Sequence, residues 1–348
     1  MIKKKRSIKL NDNRIIGDFQ KPYIVAELNT SHFGNISIAK KMILKAKESG
    51  CDCVKLQSWS SDTLYTQKFF NNNSISKKFF YKYSLNNIEL KKLSIYSKKI
   101  GISFSSTPYS EEEVDFLVNE CSPAFIKIAS MDLNNYLFLK FIAKKNTPVI
   151  LSTGMGTIKE IESAVRILVE NGQKNICILH CVSLYPLDPK IANLKNITML
   201  RNKFKNIPIG YSDHSIGTTL PISSIALGAC LVEKHFTLDN KKIGMDNQMA
   251  TEPNDMFKLT SESLITFNSL GAEKRSLSKK EFDQRKKMRR SIFTKVSLNK
   301  NEKITKEKIL LRRPGQGIPP DKILKILGKK VNRNINKNSL LKISDIII

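Results

Sequence analysis

The segment PVILSTGMGTIKEIESAVRILVENGQKNICILHC, residues 148–181, contains the unit that decides the fold. Its two ends, PVILS and NICILHC, are short apolar runs of the length and composition of buried strands. Between them, Thr157 and Glu160 have the spacing of a capping box, which predicts the start of a helix. The segment is therefore predicted to form a strand, a helix and a second strand.

The same alternation of short apolar runs and longer helical patterns extends outward from this unit, from residue 23 to about residue 270. Ser110 and Glu113, for example, form a second predicted capping box. The predicted strands are YIVAEL (23–28), DCVKLQ (52–57), ISFSS (102–106), AFIKIA (124–129), PVILS (148–152), NICILHC (175–181), IPIGYS (207–212) and CLVEKHF (230–236). Eight strand–helix units in strict alternation predict a (β/α)8 TIM barrel. A doubly wound open sheet is the alternative, but no GxGxxG motif follows the first strand.

Composition narrows the class of protein. With 348 residues and 41% hydrophobic content, the chain can bury a large core, which excludes a disordered or fibrous protein. The formal net charge of +28 leaves open a basic protein that binds nucleic acid or an anionic surface. Against that alternative, the basic residues are spread along the chain, with local thickening at 274–290, and no zinc finger or aromatic RNA-binding motif is found.

The chain is expected to be cytoplasmic. No apolar run approaches the roughly 18–20 residues that a membrane span needs. The basic start MIKKKRSIKL is followed by the polar NDNRIIGDFQ rather than by the apolar stretch of a signal peptide. The six cysteines are scattered without a CxxC pair, which is typical of buried thiols in a reducing compartment.

Strand periodicity places unusual polar residues inside the predicted barrel. Lys55 and Gln57 share one face of their strand, as do Glu233 and His235, and Glu27 alternates with aliphatic neighbours. Charged groups are costly to bury without a partner or a ligand, and the carboxyl ends of barrel strands form the active sites of such enzymes. The four histidines of the chain all lie in or just after a predicted strand end, which indicates an active site there.

Two of these histidines are candidate metal ligands. His214 and His235 come from adjacent strands, and two imidazoles with open positions suit a divalent ion, Mn²⁺ first, with Mg²⁺ or Co²⁺ as alternatives. The alternative is that each imidazole bonds to local backbone groups. His180 is equally compatible with a packed core position.

Lysines and hydroxyl groups form the second candidate cluster. Cations and hydroxyls of this kind bind a phosphate or a carboxylate. A Schiff-base lysine is the alternative role, with Lys55 or Lys127 as the candidates. The cluster comprises Lys55, Lys127, Thr107, Ser130, Ser152 and Thr153.

Nine motifs, in order along residues 22 to 346, resemble those of the sialic acid synthases. These are the phosphoenolpyruvate-condensing N-acetylneuraminate synthases and their legionaminate and pseudaminate relatives. The motifs are IVAELNTSHFG, CDCVKLQ, FSSTP, FIKIAS, LSTGMG, HCVSLYP, IGYSDHSIG, EKHFTLD and RRPGQGIPP. The resemblance implies a catalytic barrel at 1–273, a linker at 274–290 and an antifreeze-like (SAF) domain at 291–348. It also implies a domain-swapped homodimer, in which the SAF domain covers the active site of the other subunit.

The resemblance further implies a reaction and a set of site residues. Phosphoenolpyruvate condenses with an open-chain 2-acylamino hexose to give a nonulosonic acid and phosphate, as in surface polysaccharide biosynthesis. The implied catalytic residues are Glu27, Glu233, Asp246 and Lys127. The implied substrate-binding residues are Lys55, Gln57, Thr107, Ser130, Ser152, Tyr185 and Arg313, with His214 and His235 as metal ligands.

Departures from the family pattern concern the sugar. Ser31 stands where many members have an asparagine before the histidine, and Asn247 stands where a histidine is common. Phe33 adds apolar bulk beside His32, which suggests a deoxy sugar. A Schiff-base pyruvate aldolase on the same barrel, and a family member that has lost activity, are the remaining alternatives.

Overall fold

The computed structural model of the protein describes residues 6–18, 20–272 and 274–347. Residues 1–5, which begin the basic start used above to argue against a signal peptide, lie outside the described residues, as does residue 348 at the end of the predicted SAF domain. The chain divides into two compact units, Met1–Gly271 and Ala272–Ile348. Among the described residues, no helix combines the length and the apolarity needed to cross a membrane.

The first unit is a closed parallel barrel preceded by a small hairpin. The antiparallel hairpin consists of β1 (Ser7–Lys9) and β2 (Ile15–Gly17). The barrel strands are β3 (Tyr23–Glu27), β4 (Cys53–Ser58), β5 (Ser103–Pro108), β6 (Ile126–Ile128), β7 (Val149–Ser152), β8 (Ile176–Cys181), β9 (Ile209–Asp213) and β10 (Leu231–His235). They pair in chain order, and β10 pairs with β3 to close the barrel. The predicted (β/α)8 barrel is confirmed, and the open sheet is excluded.

Helices follow the barrel strands in the predicted alternation. They are α1 (Ile36–Glu48), α2 (Ser61–Leu64), α3 (Gln67–Asn72), α4 (Ser74–Tyr83), α5 (Asn87–Ile100), α6 (Glu111–Phe116), α7 (Tyr136–Ala143), α8 (Ile158–Glu170), α9 (Lys195–Lys203), α10 (Thr219–Ala226) and α11 (Pro253–Ser269). Short 3-10 turns occur at Ser130–Asp132, Pro189–Ile191 and Asn247–Met249, and a π-helical turn occurs at Leu117–Cys121.

The two predicted capping boxes have different outcomes. Thr157 and Glu160 form the complete reciprocal box at the start of α8. Ser110 caps α6 by accepting from the Glu113 backbone N–H, but the Glu113 carboxylate accepts instead from the Tyr109 N–H at 2.7 Å and the Thr63 hydroxyl at 2.9 Å. Glu113 therefore ties α2 to α6 rather than completing the box.

Side chains inside the barrel change from apolar to polar along its axis. At the amino-terminal end the interior is filled by a cluster that includes Tyr23, Val25, Phe125 and Ile150. Successive inward positions are two residues apart, so Glu27 follows Val25 and faces the carboxyl-terminal end. The outward residues pack against the helices in one continuous apolar core. The fold thus concentrates polar side chains at one end of the barrel.

The second unit has its own small apolar core. It contains α12 (Lys279–Met288), an antiparallel pair formed by β11 (Ser291–Thr294) and β12 (Ile309–Arg312), and α13 (Ile323–Ile326). Its short 3-10 turns are Lys306–Lys308, Pro320–Lys322 and Ile343–Asp345. Buried residues such as Ile292, Val331 and Leu341 form the core. Helix α12 occupies most of the segment predicted as a linker, and its residues are all exposed.

Candidate active site

A cavity of about 300 Å³ lies at the carboxyl ends of the barrel strands. The site residues of the first unit that the resemblance implies all line this cavity, whereas Thr153 of the predicted hydroxyl cluster does not. The implied residues are Glu27, Lys55, Gln57, Thr107, Lys127, Ser130, Ser152, Tyr185, His214, Glu233, His235 and Asp246. Arg313 belongs to the second unit, where it is exposed and its guanidinium lies 3.6 Å from the Met288 sulfur. The structure therefore brings together the predicted residues of the barrel, each carried by the end of a strand or the loop after it.

Lys55 lies between two buried carboxylates. Its ammonium forms an ion pair with Glu27, lies 3.6 Å from Glu233 Oε2 and donates to the Thr107 hydroxyl at 3.0 Å. Burial by itself would lower the pKa of Lys55, but the charges of Glu233 and Glu27 outweigh burial and raise it. Lys55 is therefore a permanent cation at neutral pH.

Lys127 has the opposite balance. Its ammonium donates to the Ser152 hydroxyl at 2.6 Å and lies 3.9 Å from Glu233 Oε1. Burial lowers the pKa of Lys127, and the nearby Lys55 cation lowers it further against the opposing effect of Glu233. Lys127 is consequently the more easily deprotonated lysine, and the one that gains most from an added anion.

The two central carboxylates also differ. Burial raises the pKa of Glu27 even though Lys55 opposes it, whereas the cations Lys127 and Lys55 overcome burial and lower the pKa of Glu233. Glu233 Oε1 accepts from the Ser212 hydroxyl at 3.0 Å, while its Oε2 is buried and accepts no hydrogen bond among the described residues. A buried carboxylate oxygen in this condition is available to a hydroxyl group of a ligand.

Amide and hydroxyl groups complete the lysine side of the cavity. Trp59 donates to Gln57 Oε1 at 3.1 Å, which leaves the Gln57 NH₂ group as a donor for a ligand. Ser130 accepts from the Gly154 N–H at 3.0 Å. A Cβ at Gly154 would clash with the hydroxyl groups of Ser183 and Ser130, so any larger residue here would displace both.

His214 and His235 face each other with ring centroids 5.4 Å apart, and the Tyr185 ring lies 4.1 Å from that of His214. Burial lowers the pKa of both imidazoles, and for His235 the value falls well below the usual one. His214 Nδ1 lies 2.8 Å from the Val182 carbonyl oxygen, which can only accept, so Nδ1 carries the hydrogen and Nε2 carries a lone pair.

Neutral imidazoles oriented in this way fit a divalent ion, because a ligating histidine usually donates its other N–H to a carbonyl. Within the described residues, no group of three or more histidine, cysteine or acidic side chains is arranged to hold a metal. The pair can thus supply two ligands, and the remaining positions would fall to water or substrate oxygens.

Asp246 forms the outer edge of the site through a hydrogen bond from the Asn29 side chain. The next residue, Asn247, is turned away into its own loop: it accepts from Thr237 at 2.6 Å and donates to the Asp239 and Lys242 carbonyls at 2.8 Å each. The oxygen and the NH₂ group of its side-chain amide are thereby both occupied. Asn247 holds the loop that carries Asp246 and does not line the cavity.

Other polar residues near the strand ends lie outside the cavity lining. His180 faces the helix layer and its Nε2 lies 2.8 Å from the Ala192 carbonyl, so it is a packed core histidine. Thr153 donates to the Leu179 carbonyl at 2.8 Å. Phe33 packs edge-on against Tyr83 at 5.7 Å, so its proposed contact with a deoxy sugar has no support from the lining residues.

His32 is buried just outside the cavity, where it accepts from the Gly34 N–H at 3.1 Å. Burial lowers its pKa to about 4. Below pH 6.5 the unfolded chain binds a proton that the folded chain does not, so the free energy of unfolding falls as the pH decreases toward 4. Between pH 7 and pH 4.5, the wild type is expected to lose on the order of 2 kcal/mol more stability than His32→Asn.

The measurement is urea unfolding followed by the fluorescence of the single tryptophan, Trp59. Asparagine keeps an acceptor for the Gly34 N–H, so the pH 7 stabilities should be similar. If the free energy of unfolding decreased equally in the two proteins between pH 7 and pH 4.5, His32 would not be buried in its neutral form.

Several lining residues were not predicted: Tyr109, Met131, Met155, Cys181, Ser183 and Ser212. Ser212 has the same parity as His214, so strand periodicity could have identified it. Cys181 and Ser183 lie within the HCVSLYP motif but carry no chemistry that marks them in a sequence. Tyr109 follows the end of β5, and burial raises its pKa well above the usual value.

A larger cavity, about 730 Å³, lies at the opposite end of the barrel. Its polar groups bond to one another: Arg14 pairs with Asp52 at 2.8 Å, and Asp12 accepts from the Tyr23 and Ser103 hydroxyls at 2.6 Å each. This end of a barrel usually serves stability. The smaller, carboxyl-end cavity is therefore the candidate active site.

Comparison with known proteins agrees with this geometry. Residues 42–275 match the model of the NeuB family, and residues 289–347 match that of the SAF domain. The chain belongs to the NeuB family. The resemblance to sialic acid synthases is confirmed, as are the TIM barrel and the SAF domain that follows it.

Individual relatives of this NeuB family member cover almost its whole length. An uncharacterized protein of Methanocaldococcus jannaschii is 37% identical over 98% of each chain. The N,N'-diacetyllegionaminic acid synthase of Campylobacter jejuni is 35% identical over 93% of this chain and 99% of its own. The crystal structure of an N-acetylneuraminic acid synthetase from Leptospira borgpetersenii, in complex with citrate, has 32% identity and a TM-score of 0.74, covering 80% of this chain and 95% of its own.

Proposed function

We propose that this NeuB family member is a transferase that condenses phosphoenolpyruvate with an open-chain 2-acylamino hexose, giving a nonulosonic acid and phosphate. The observation that carries the proposal is that one cavity contains both donors for an anion and acceptors for a sugar. Lys127, Ser152 and Gln57 offer donors for an anion, while Glu27, Glu233 and Asp246 offer acceptors for sugar hydroxyls. Two neutral imidazoles, His214 and His235, lie in the same cavity.

The lysines and hydroxyl groups of the cavity would bind phosphoenolpyruvate. Lys127 and Lys55 supply positive charge, and the hydroxyls of Thr107, Ser130 and Ser152 supply directional hydrogen bonds. Charge-assisted hydrogen bonds in a buried site are stronger than those in water, because the local dielectric constant is low. A bound phosphate and carboxylate would also compensate the cost of burying two lysines.

His214 and His235 would hold a divalent ion, with Mn²⁺ favoured and Mg²⁺ or Co²⁺ also suited to the ligands. Such an ion, when bound, polarises the sugar aldehyde as a Lewis acid. The ring of Tyr185, packed on His214, narrows the approach of the sugar to this side.

The carboxylates are suited to the proton transfers. Carbon 3 of phosphoenolpyruvate bonds to the aldehyde carbon, whose oxygen takes a proton and becomes a hydroxyl. Water adds at carbon 2 and releases a proton. The C–O bond to phosphate then breaks, and the hydroxyl group at carbon 2 passes its proton to the departing phosphate and becomes the carbonyl group of the product. Glu27, with its raised pKa, is the proposed donor of the first proton, and Glu233, with its lowered pKa, is the proposed acceptor of the second.

Two further parts of the proposal follow from the family resemblance. Arg313 of a second copy, in a homodimer, would contact the acylamino group of the sugar, and the exposed position of this arginine in the SAF unit is compatible with that role. The six cysteines are all free and buried, which supports a reducing compartment such as the cytoplasm.

The test is phosphate release from phosphoenolpyruvate across a panel of sugars, with and without EDTA. The panel contains N-acetylmannosamine, its 6-phosphate, and 6-deoxy diacetamido sugars of the mannose and altrose series. Release with one sugar, abolished by EDTA and restored by Mn²⁺, is expected and would identify the substrate.

The lowered pKa of Lys127 favours one second candidate, a Schiff-base pyruvate aldolase. That enzyme would be trapped by borohydride in the presence of pyruvate and would be indifferent to EDTA. Trapping at Lys127, with no phosphate release from any sugar, would replace the synthase proposal with the aldolase.

A further inference from the structure

A buried ion pair lies directly behind the two imidazoles of the active site, on the opposite face of their strands. Lys234 Nζ lies 2.6 Å from Asp213 Oδ2, and the side chains are 1% and 0% exposed. Asp213 immediately precedes His214, and Lys234 immediately precedes His235. Because side chains alternate along a strand, the ion pair faces the helix layer while the imidazoles face the cavity.

The pair links the two strands at matching positions. Lys234 and Asp213 are cross-strand neighbours in the register of β9 and β10. The Lys234 ammonium also donates to the Ser215 carbonyl, so it bonds to the chain on both sides of His214. The Lys234 side chain of β10 thus holds the residues immediately before and after His214.

Asp213 is held from several directions as well. Its Oδ1 accepts from the Tyr211 hydroxyl at 2.9 Å and from the Ser215 N–H at 3.2 Å. Its Oδ2 accepts from the Ser215 hydroxyl at 2.9 Å in addition to Lys234. The carboxylate therefore closes a tight turn around His214.

Burying an ion pair costs free energy of desolvation. Proteins in which apolar residues of similar volume replace such a pair are often equally stable or more stable. The ion pair lies directly behind His214 and His235, which indicates a role in holding these two side chains in place. We infer that Asp213 and Lys234 are positioning residues that set the separation of His214 and His235, and hence the affinity of the site for a divalent ion. The inference rests on the metal site of the proposed function.

Titration of the metal-free full chain with Co²⁺, followed by visible absorption, tests the inference without an activity assay. The double variant Asp213→Asn/Lys234→Met removes both charges and leaves neither uncompensated. Replacing groups that orient metal ligands typically weakens metal binding about 10- to 100-fold. We expect a loss of that size, together with a shifted Co²⁺ absorption band, which a change in stability alone would not produce.

Tyr211→Phe is the milder variant, because it removes one hydrogen bond to Asp213 and keeps the ring. It should weaken Co²⁺ binding in the same direction by a smaller factor, and it decides the question if the double variant does not fold. The matched control is Leu168→Ala in α8, a fully buried position away from the site, which should lower thermal stability and leave the Co²⁺ affinity and band unchanged.

The outcomes separate this inference from the proposed function. Wild-type affinity and band in the folded double variant, or in Tyr211→Phe if only that variant folds, would overturn the inference and leave the metal site intact. Absence of Co²⁺ binding by the wild type, or equal binding by His235→Ala, would overturn the metal site and the inference with it.

Discussion

His235→Ala is expected to abolish sugar-dependent phosphate release, lowering kcat/KM by at least about 1,000-fold, or about 4 kcal/mol. The reason is that His235 is one of two imidazoles in the cavity and is kept neutral by burial, so its loss leaves a single protein ligand. Steady-state kinetics with saturating Mn²⁺ and the sugar identified by the panel provide the measurement.

The matched control is His180→Asn, since this histidine lies one strand away from His214 but faces the helices. Its loss removes a hydrogen bond to the Ala192 carbonyl and should affect stability rather than metal dependence. If His235→Ala kept a tenth or more of the wild-type kcat/KM, still sensitive to EDTA, the assignment of this imidazole as a ligand would be wrong.

Lys127→Met is expected to raise KM for phosphoenolpyruvate and to lower kcat/KM by about 100-fold, or about 3 kcal/mol. Methionine keeps the length of the side chain but removes the charge-assisted hydrogen bonds to the anion and the contact with Ser152. Glu233 retains Lys55 at 3.6 Å, so its charge stays compensated and the variant should fold.

Lys140→Met provides the control for the loss of one positive charge, because Lys140 is exposed on α7. The EDTA sensitivity of Lys127→Met should equal that of the wild type, since the imidazoles are untouched. An unchanged KM for phosphoenolpyruvate would show that Lys127 does not bind the phosphate. Complete loss of borohydride trapping by pyruvate, where the wild type is trapped, would support the aldolase instead.

Parity of side chains along strands explains how much of the site could be predicted. In CVKLQ, polar and aliphatic residues alternate, so the inward position of Lys55 follows from the sequence. In LVEKHF, the apolar Val232 and Phe236 share the outward parity, which leaves Glu233 and His235 on the inward face. In ICILHC nearly every residue is apolar, the alternation is lost, and the direction of His180 depends on the register of β8 with its neighbours.

Contacts between distant parts of the chain could not be predicted in this way. Parity gives Lys234 an outward direction, but its partner Asp213 is determined by the register of β9 and β10. Likewise, the sequence predicts that the Glu113 carboxylate bonds at the start of its own helix, whereas it accepts a hydrogen bond from Thr63 of α2. Helix α12 contains only two apolar residues, Phe282 and Met288, so no hydrophobic period marks it in the sequence.

The closing pair of the barrel, β10 with β3, passes through the active site, because His235 and Glu27 are direct neighbours in its register. The site therefore includes residues of the first and last strands of the barrel, which are far apart in the sequence. Contacts of such long range carry a large entropic cost, because a long loop must close for them to form. Any ligand that contacts both β3 and β10 would therefore stabilise the closed barrel, and this stabilisation increases with the affinity of the ligand.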